Sequence, residues 1–499
     1  MRLVSAALLA LASGALSQNV VQFNVTKGLP GLHVGTGPSL ARRDTYAEQL
    51  VNSVAGGGYF AQVKVGNPPQ TITMLLDTGS SDAWVLGHEA DLCTDRDLQG
   101  LYGMSCTDTY DPSKSSTSKM VKSNGFKIVY LDGGTASGDY ITDDFSIGGA
   151  TIESLQMAHV TRAVRGTGIL GLGFSASEKA STKYPNIIDE MANQGLIGCK
   201  AYSLYLNDRR TDSGTILFGG IDTDKFIGPL EVLPLHRPNG ANYSSFEVNF
   251  TSVSVTYTNG TKFDIKTSTL NHPAPAVLDS GTTLSYLPDE MATTINTALG
   301  AIYDPDMRTT LIDCAYLTTE PNLHLTFHFP TSHQTAAKTA TIAVPIWEMV
   351  LDILPTTYTP PPTIPFSRTC VFGIQSTARF SSSTGTNQSN FTLLGDTFLR
   401  SAYVVYDLTH YQIGLAQANL NSSTSTVLEL SAGGTTSSLP RVTGVAAQQT
   451  TYTPTSTPTA GAQAGTPSEN AAAAPAGGEA LGVVVVTGVL AVLGIHIGL

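Results

Sequence analysis

Residues 74–83 read MLLDTGSSDA, and residues 276–285 read AVLDSGTTLS. Each stretch is an apolar run that ends in Asp, followed by Thr or Ser, then Gly and two further hydroxyl residues. A single Asp-Thr/Ser-Gly triplet is a common turn sequence, because Asp and Gly both favour turns. Two copies about 200 residues apart, each after an apolar run, indicate two related halves that use the same turn.

The two aspartates of these triplets, Asp77 and Asp279, are the candidate catalytic residues. The apolar runs place both carboxyl groups in hydrophobic surroundings. If a pseudo-twofold axis relates the halves, the carboxyls meet and hold one proton between them, because like charges at close range cannot both ionise easily. One carboxylate then activates a water while the other protonates a carbonyl, which predicts amide hydrolysis in acid without a cofactor.

The neighbours of the aspartates are expected to shape the site. Gly79 and Gly281 allow tight turns that bring backbone amides close to the carboxylates, and they are assigned with Thr282 to substrate binding. The hydroxyls of Thr78 and Ser280 can hydrogen-bond across to the other copy. The residues expected to support the site are Thr78, Ser80, Ser280 and Trp84.

The body of the chain, from about residue 55 to residue 420, resembles a pepsin-type aspartic protease and is most similar to the fungal yapsins, which carry a lipid anchor. Besides the triplets and Trp84, the resemblance rests on FKIVYLDGG at 126–134, GILGLG at 168–173 and LLGDTFLRSAYVVYD at 393–407. It implies a mainly β, bilobal fold with a cleft between an N-terminal lobe, 44–230, and a C-terminal lobe, 231–420. Tyr130 takes the place of the flap tyrosine.

Two flap residues bear on specificity. Leu131 stands where the family usually has glycine, and Asp132 follows it. The resemblance implies that a carboxylate at this flap position favours Lys or Arg just before the scissile bond, through a charge-assisted hydrogen bond. Asp132 could instead support the turn through its own backbone. Acidic residues near the loop 93–106 could attract basic peptides or form a solvated surface: Glu89, Asp91, Asp95, Asp97 and Asp108.

Five cysteines suit an oxidising compartment. Proximity within each half favours the pairs Cys93–Cys106 and Cys314–Cys370, which leaves Cys199 as a buried free thiol. Other pairings stay open from the sequence alone.

The composition argues against several classes of function. The chain has 39 acidic and 27 basic residues, so nucleic acid is not expected as a partner. Neither a His cluster nor H-E-x-x-H or G-x-S-x-G occurs, so no metal and no serine chemistry are expected. GTGILG at 166–171, with Glu190 beyond it, fits a dinucleotide pattern, but a poor helix start follows it. A cofactor-free monomer acting on peptides and proteins is the expectation.

The N-terminal end predicts secretion. Residues 1–17 have one positive charge, a short apolar run and small residues before the cleavage point, as a signal peptide has. Residues 18–43 are expected to be a propeptide, removed by a dibasic-specific convertase at Arg42–Arg43.

The C-terminal end predicts a stalk and a glycosylphosphatidylinositol (GPI) anchor. Residues 421–470 are rich in Ser and Thr, and residues 471–499 end in an apolar tail without a basic stop. Asn470 is the expected attachment site, Gly477 is a rival, and a tail-anchored helix is an alternative. N-glycosylation is expected at Asn242, Asn249, Asn259, Asn387, Asn390 and Asn421.

These features predict an acid-acting aspartic endopeptidase at the cell surface, on the plasma membrane or in the cell wall, which processes or sheds secreted and cell-wall proteins. The alternative is an anchored structural or adhesive glycoprotein with an inactive protease-like body. The stalk and sequons fit both hypotheses, but only the peptidase explains two complete aspartate triplets.

Overall fold

The computed structural model describes residues 20–27, 58–211, 213–237, 242–265, 274–331, 339–354, 358–380, 391–431 and 438–447. Residues 1–17, Arg42–Arg43, Asn387, Asn390 and the predicted anchor with Asn470 lie outside these ranges. None of the helices within them is long and apolar enough to cross a membrane.

Strands dominate the described chain, as the short β-branched and aromatic runs of the sequence predict. Those of the N-terminal part are β1 Val21–Lys27, β2 Tyr59–Val65, β3 Gln70–Asp77, β4 Ala83–Leu86, β5 Lys119–Val129, β6 Thr135–Ile147, β7 Ala150–Ala163, β8 Gly168–Gly171, β9 Ala201–Tyr205, β10 Ser213–Phe218, β11 Gly220–Asp222 and β12 Phe226–Pro234. Those that follow are β13 Glu247–Phe250, β14 Ser252–Thr256, β15 Lys262–Ile265, β16 Ala274–Leu278, β17 Ser285–Leu287, β18 Ile302–Asp304, β19 Thr309–Asp313, β20 His324–Pro330, β21 Thr339–Pro345, β22 Val350–Leu351, β23 Thr369–Phe372, β24 Ile374–Ser376, β25 Thr392–Leu394, β26 Ala402–Asp407, β27 Gln412–Ala418 and β28 Val427–Glu429.

The helices are short: α1 Asp91–Thr94, α2 Arg96–Tyr102, α3 Ile187–Asn193, α4 Asp289–Leu299 and α5 Asp396–Leu399. The stretches PNIIDEMANQG at 185–195 and LPDEMATTINTALG at 287–300 have the apolar spacing of helices, and they form α3 and α4. In α4 the buried side chains recur at helical spacing, Met291, Ile295 and Leu299, and Gly300 ends the helix in the left-handed region at φ 67°.

One 13-stranded sheet joins the two halves of the molecule. Its order is β12-β27-β26-β9-β10-β1-β2-β3-β8-β4-β7-β6-β5, so β26 and β27 from the end of the chain complete a sheet begun by the N-terminal half. The C-terminal half adds a five-stranded sheet, β13-β16-β25-β17-β24, and two four-stranded sheets. The fold is therefore mainly β and has two halves, as expected.

The repeated sequence corresponds to a repeated local topology. β8 runs parallel to β3 and antiparallel to β4, and β25 runs parallel to β16 and antiparallel to β17. β3 and β16 are the strands that lead into the two triplets. The GILG and TLL strands thus pass behind the two triplet turns in the same way, which places those turns at equivalent points of the two halves.

The predicted propeptide takes part in the main sheet. β1, which lies within residues 18–43, pairs antiparallel with β10 from Val21↔Phe218 to Thr26↔Ser213, and its end pairs with β2. Val20 and Val21 are buried. The segment N-terminal to Arg43 therefore supplies a strand within the sheet, and a cut after Arg43 would not by itself break that pairing.

The folded body continues beyond residue 420, where the sequence predicted the stalk to begin. β28 pairs with β11, and isolated bridges join Ile227 to Val445 and Pro229 to Thr443. Leu430 and Leu439 are buried in one apolar cluster with Cys199. Scattered apolar residues within the Ser/Thr-rich stretch supply this contact, so the body extends into the predicted stalk at least as far as Val445.

The two disulfides expected from proximity are present. Cys93 is bonded to Cys106 and Cys314 to Cys370, while Cys199 is a buried free thiol. Among the sequons in the described ranges, Asn242, Asn259 and Asn421 are exposed and Asn249 is half-buried in β13.

Candidate active site

The two triplet aspartates lie at the ends of equivalent strands. Asp77 is the last residue of β3, and Asp279 directly follows β16. Both side chains are fully buried. The two carboxyl groups are close enough for the charge of Asp279 to raise the pKa of Asp77.

Each carboxyl group is held by its own turn in the same manner. The backbone N–H groups of Gly79 and Gly281 donate to Oδ1 of Asp77 and of Asp279, each at 2.8 Å. The Ser80 hydroxyl donates to Oδ2 of Asp77, and the Thr282 hydroxyl donates to Oδ2 of Asp279 at 2.5 Å. The expected neighbours therefore contact both carboxyl groups with pseudo-twofold symmetry.

The hydroxyls of Thr78 and Ser280 tie the two turns together. Thr78 Oγ1 donates to the Leu278 carbonyl, and Ser280 Oγ donates to the Leu76 carbonyl, both at 2.9 Å. The Ser280 N–H also donates to Thr78 Oγ1 at 2.9 Å. These buried bonds between residues far apart in sequence fix the separation of the two carboxyl groups.

Residue 79 must be glycine, because its backbone lies very close to the carboxyl group of Asp279. A Cβ atom at this position would lie 2.6 Å from Oδ1 of Asp279, well inside van der Waals contact. Any side chain at residue 79 would therefore push the two turns apart.

Burial and mutual repulsion perturb the acidity of the pair. Burial first, and the charge of Asp279 second, raise the pKa of Asp77 well above its usual range. Burial also raises the pKa of Asp279, against the hydrogen bonds of Thr282 and Gly281, which lower it. The pair therefore keeps one proton at a pH where isolated carboxyls have lost theirs.

This arrangement supplies a base and an acid on adjacent groups. The ionised carboxylate can take a proton from a bound water, which then attacks a peptide carbonyl carbon, while the protonated carboxyl gives its proton to the carbonyl oxygen. The attacking oxygen comes from water, so no covalent bond forms to the protein. The chemistry is general acid–base hydrolysis of an amide.

The β5–β6 hairpin carries the expected flap residues. Tyr130 is buried, and Trp84 Nε1 donates a hydrogen bond to its hydroxyl at 2.7 Å. Leu131 is also buried and belongs to an apolar cluster with Leu284 and Tyr286 of the C-terminal half. The leucine that departs from the family pattern thus connects the hairpin tip to the other side of the cleft.

Asp132 has two partners in the structure. Its Oδ1 accepts from the Gly134 N–H at 2.8 Å, the turn contact that the sequence left as the alternative. Its Oδ2 forms an ion pair with Arg165, and both side chains are about nine-tenths buried. The Arg165 guanidinium also lies 5.4 Å from the centre of the Tyr130 ring. Arg165 could not be predicted from the sequence, because nothing local links it to a residue 33 positions away.

Most of the acidic residues around the Cys93–Cys106 loop have structural contacts. Asp91 accepts from the Ala163 N–H, Asp95 caps α2, and Asp108 accepts from the Thr73 N–H. Oε1 of Glu89 lies 3.4 Å from Nε2 of His159. They still form a negative surface near the loop, but several carboxylates are oriented by the fold.

Asp82 is a site residue that the sequence analysis did not single out. Its buried carboxyl accepts hydrogen bonds from the hydroxyls of Tyr140 and Tyr184 and from the Lys179 N–H. Burial raises its pKa. The available signal was an Asp directly after the hydroxyl residues of the first triplet and two residues before Trp84.

One group of side chains in the described ranges has the spacing of metal ligands, Asp352 beside Cys314 and Cys370. The two sulfurs are bonded to each other, so they do not offer thiolates to a metal.

Comparison with known proteins agrees with this geometry. The eukaryotic aspartyl protease family model matches residues 58–418. The "Probable aspartic-type endopeptidase OPSB" of Arthroderma benhamiae is 36% identical over 441 residues, 87% of this chain and 83% of that protein. "Secreted aspartic protease 8" of Candida albicans is 33% identical over 386 residues, 77% of this chain and 81% of that protein.

A solved structure supports the fold. The aspartic proteinase from Irpex lacteus matches with a TM-score of 0.54 at 22% identity, over 75% of this chain and 99% of that one. Both aspartate triplets lie inside residues 58–418, which the family model matches, and both are complete. The chain belongs to the eukaryotic aspartyl protease family and is an aspartic-type endopeptidase.

Proposed function

We propose that this endopeptidase acts in acid at the cell surface and favours Lys or Arg just before the scissile bond. The carboxylate of Asp132, two residues after the flap tyrosine, is the observation that carries the preference. A substrate ammonium or guanidinium at the hairpin tip can share this carboxylate with Arg165, because a carboxylate accepts several hydrogen bonds. The negative surface near the Cys93–Cys106 loop supports the same preference.

Arg165 limits how large this preference can be. It already neutralises Asp132, so a substrate cation gains less than it would from an unpaired carboxylate. We expect a preference of about fivefold for Lys over Leu, the scale of a partly screened ion pair. Large apolar residues are tolerated before the bond, since Leu131 and its cluster offer apolar surface nearby.

The test is to compare cleavage of matched peptides that carry Lys, Arg, Leu or Phe before the bond. Asp132→Ser should lower the Lys-to-Leu ratio of kcat/KM to about one, because the serine keeps a turn acceptor and loses the charge. Arg165→Met should raise the ratio, because it leaves the carboxylate to the substrate.

Asp139→Ser is the matched control. It removes one negative charge from the same hairpin, where Asp139 accepts from the Asn124 N–H, and leaves the tip unchanged. If the Lys-to-Leu ratio of Asp132→Ser equals that of the wild type, Asp132 only stabilises the turn, and the specificity proposal is wrong.

We also propose that the enzyme enters the secretory pathway and is held on the outer surface by a GPI lipid attached at Asn470. Small residues at 470–472, a spacer and the apolar stretch 481–499 support this proposal. The similar protein of Candida albicans is named a secreted protease, and the two disulfides fit an oxidising compartment. The substrates would then be secreted and cell-wall proteins, processed or shed near the membrane by a monomeric enzyme.

Phosphatidylinositol-specific phospholipase should release the endopeptidase from intact cells, and an Asn470→Gln/Gly477→Gln double variant should be absent from the surface. Mass spectrometry of the mature C-terminus checks the site directly. Recovery of mature chains that still contain residues 481–499 would favour the tail-anchored helix instead.

Activation by a convertase at Arg42–Arg43 is part of the same proposal. Lys27 is the only basic residue between position 18 and Arg42, so a lysine-rich inhibitory segment lacks support. β1 pairs with six residues of β10, and cleavage of the chain after Arg43 leaves those hydrogen bonds intact.

The alternative, an anchored adhesive glycoprotein with an inactive body, shares the stalk, the sequons and the anchor. This hypothesis predicts that one of the two aspartates is missing or that a side chain blocks one of the two triplet turns. Both aspartates, both glycines and the hydroxyls that bridge the turns are instead present.

A further inference from the structure

A cavity with a volume of about 520 Å³ lies beside the catalytic pair. Its wall includes Gly79 and Ser80 from the first triplet, Ile128 from β5, and Val277 from β16, two residues before Asp279. These residues come from both halves and from the flap hairpin. A peptide that crosses the aspartates therefore has this cavity directly next to it.

Two lysines of one loop line the cavity. Lys179 and Lys183 follow the short 3-10 helix Ser175–Ser177; Lys179 is partly exposed and Lys183 is exposed. The Lys183 ammonium donates to the backbone carbonyl of Glu178. An ammonium has three donors, so this contact leaves two of them for a ligand.

The acidic residues of the wall only partly offset these charges. Glu178 is buried, its Oε2 accepts from the Tyr184 N–H at 2.9 Å, and burial raises its pKa to about 8, so it is neutral in acid. The Asp82 carboxyl is enclosed by its three donors. Glu247 is half-buried and accepts from Ser245 at 2.6 Å.

The surface that a ligand can reach therefore carries two ammonium groups and one carboxylate. The usual pKa of a lysine lies far above the acidic range in which the aspartates work. Burial lowers the pKa of Lys179 from that usual value. The cavity thus has an excess of positive charge under working conditions, unlike the flap tip with its carboxylate.

We propose that Lys179 and Lys183 select substrates with an acidic side chain shortly after the scissile bond. The placement of the acidic side chain after the bond rests on the proposed function, in which the residue before the bond lies near Asp132. Neither Tyr130 nor Asp132 lines this cavity. An ammonium–carboxylate pair in a partly water-excluded cavity is a charge-assisted hydrogen bond. The preferred cleavage sites then have a basic residue before the scissile bond and an acidic residue after it.

The experiment uses peptide pairs that differ only by Glu or Gln at one of the first three positions after the bond, cleaved by the purified mature enzyme at about pH 5. Wild type should favour Glu about three- to tenfold in kcat/KM at one position, the scale of one or two half-exposed ion pairs. Lys179→Met/Lys183→Met should lower this ratio to about one, and Lys183→Arg should keep it.

Lys122→Met is the matched control. Lys122 donates to Ser181 in the same loop but does not line the cavity, so the Glu-to-Gln ratio should be unchanged. Cleavage of the Gln peptides checks that each variant is folded and active, and their kcat/KM should stay within about twofold of wild type.

A Glu-to-Gln ratio near one in wild type, or one that survives the double lysine variant, overturns the inference. So does an equal loss in Lys122→Met, which would assign the preference to overall charge. If Asp132→Ser leaves the Lys-to-Leu ratio unchanged but the Glu-to-Gln ratio depends on the two lysines, the role of Asp132 is rejected. The role of Lys179 and Lys183 is then still supported.

Discussion

Asp77→Asn and Asp279→Asn should each lower kcat/KM by at least about 10³-fold, because one carboxyl group cannot be both the base and the acid. Asn keeps the size of Asp and an Oδ1 acceptor for the N–H of Gly79 or Gly281, so the turn is preserved. Initial rates on a neutral peptide measure the loss, and near-ultraviolet circular dichroism checks the fold.

Asp222→Asn is the matched control for this result. Asp222 is buried and accepts from the Asp224 N–H, but it lies outside the active site. The variant should keep wild-type rates. Activity above about one per cent in Asp279→Asn would contradict the two-carboxyl mechanism.

The raised pKa values of the pair also set the pH profile. As the pH rises past the higher value of the pair, the shared proton leaves and the general acid is lost, so the rate falls. In stronger acid the second carboxyl is protonated and the base is lost. We expect a bell-shaped profile with its maximum in acid, measured as kcat/KM against pH.

Glu348→Gln should lower the free energy of unfolding by about 3–5 kcal/mol, the largest stability change we expect from a single residue. Glu348 and Arg400 are both fully buried and form an ion pair, and Arg400 Nη2 also donates to the Glu348 carbonyl at 2.7 Å. The substitution leaves the guanidinium charge without its partner in the core. Urea unfolding followed by fluorescence gives the measurement.

A double variant separates the buried charge from packing. Glu348→Leu/Arg400→Met removes both charges and should recover most of the loss, because apolar replacements of buried pairs are often neutral or stabilising. Asp352→Asn breaks the ion pair with Arg368, whose side chain is exposed, and should cost less than about 1 kcal/mol. Equal destabilisation by the single and double variants would assign the effect to shape alone.

The site could be predicted from the sequence because its signals are local and repeated. Asp, Gly and the hydroxyl residues of each triplet lie within four positions, and a turn of that composition has few alternatives. The helices α3 and α4 were predictable for the same reason, since apolar spacing and end signals lie within one short segment.

The rest depended on partners that are distant in sequence. β1 pairs with residues about 190 positions away, and β28 pairs with β11 across more than 200. The ion pair of Asp132 with Arg165 and that of Glu348 with Arg400 likewise join separate elements. Neither composition nor periodicity identifies such a partner, so the sequence could not predict the pairing of β1 and β28 with the body or the ion pair of Asp132.

The attachment of β28 and of residues 443–445 to the body sets a limit on distance. At most 25 residues, from 446 to 470, then separate the body from the proposed lipid site, instead of the 50 between 421 and 470. A chain extends at most about 3.5 Å per residue, so such a tether would reach no more than about 90 Å rather than about 175 Å in any conformation. If the lipid is attached at Asn470, an enzyme on so short a tether would sample only the layer next to the bilayer, and its substrates would have to pass through that layer or be anchored in the same membrane.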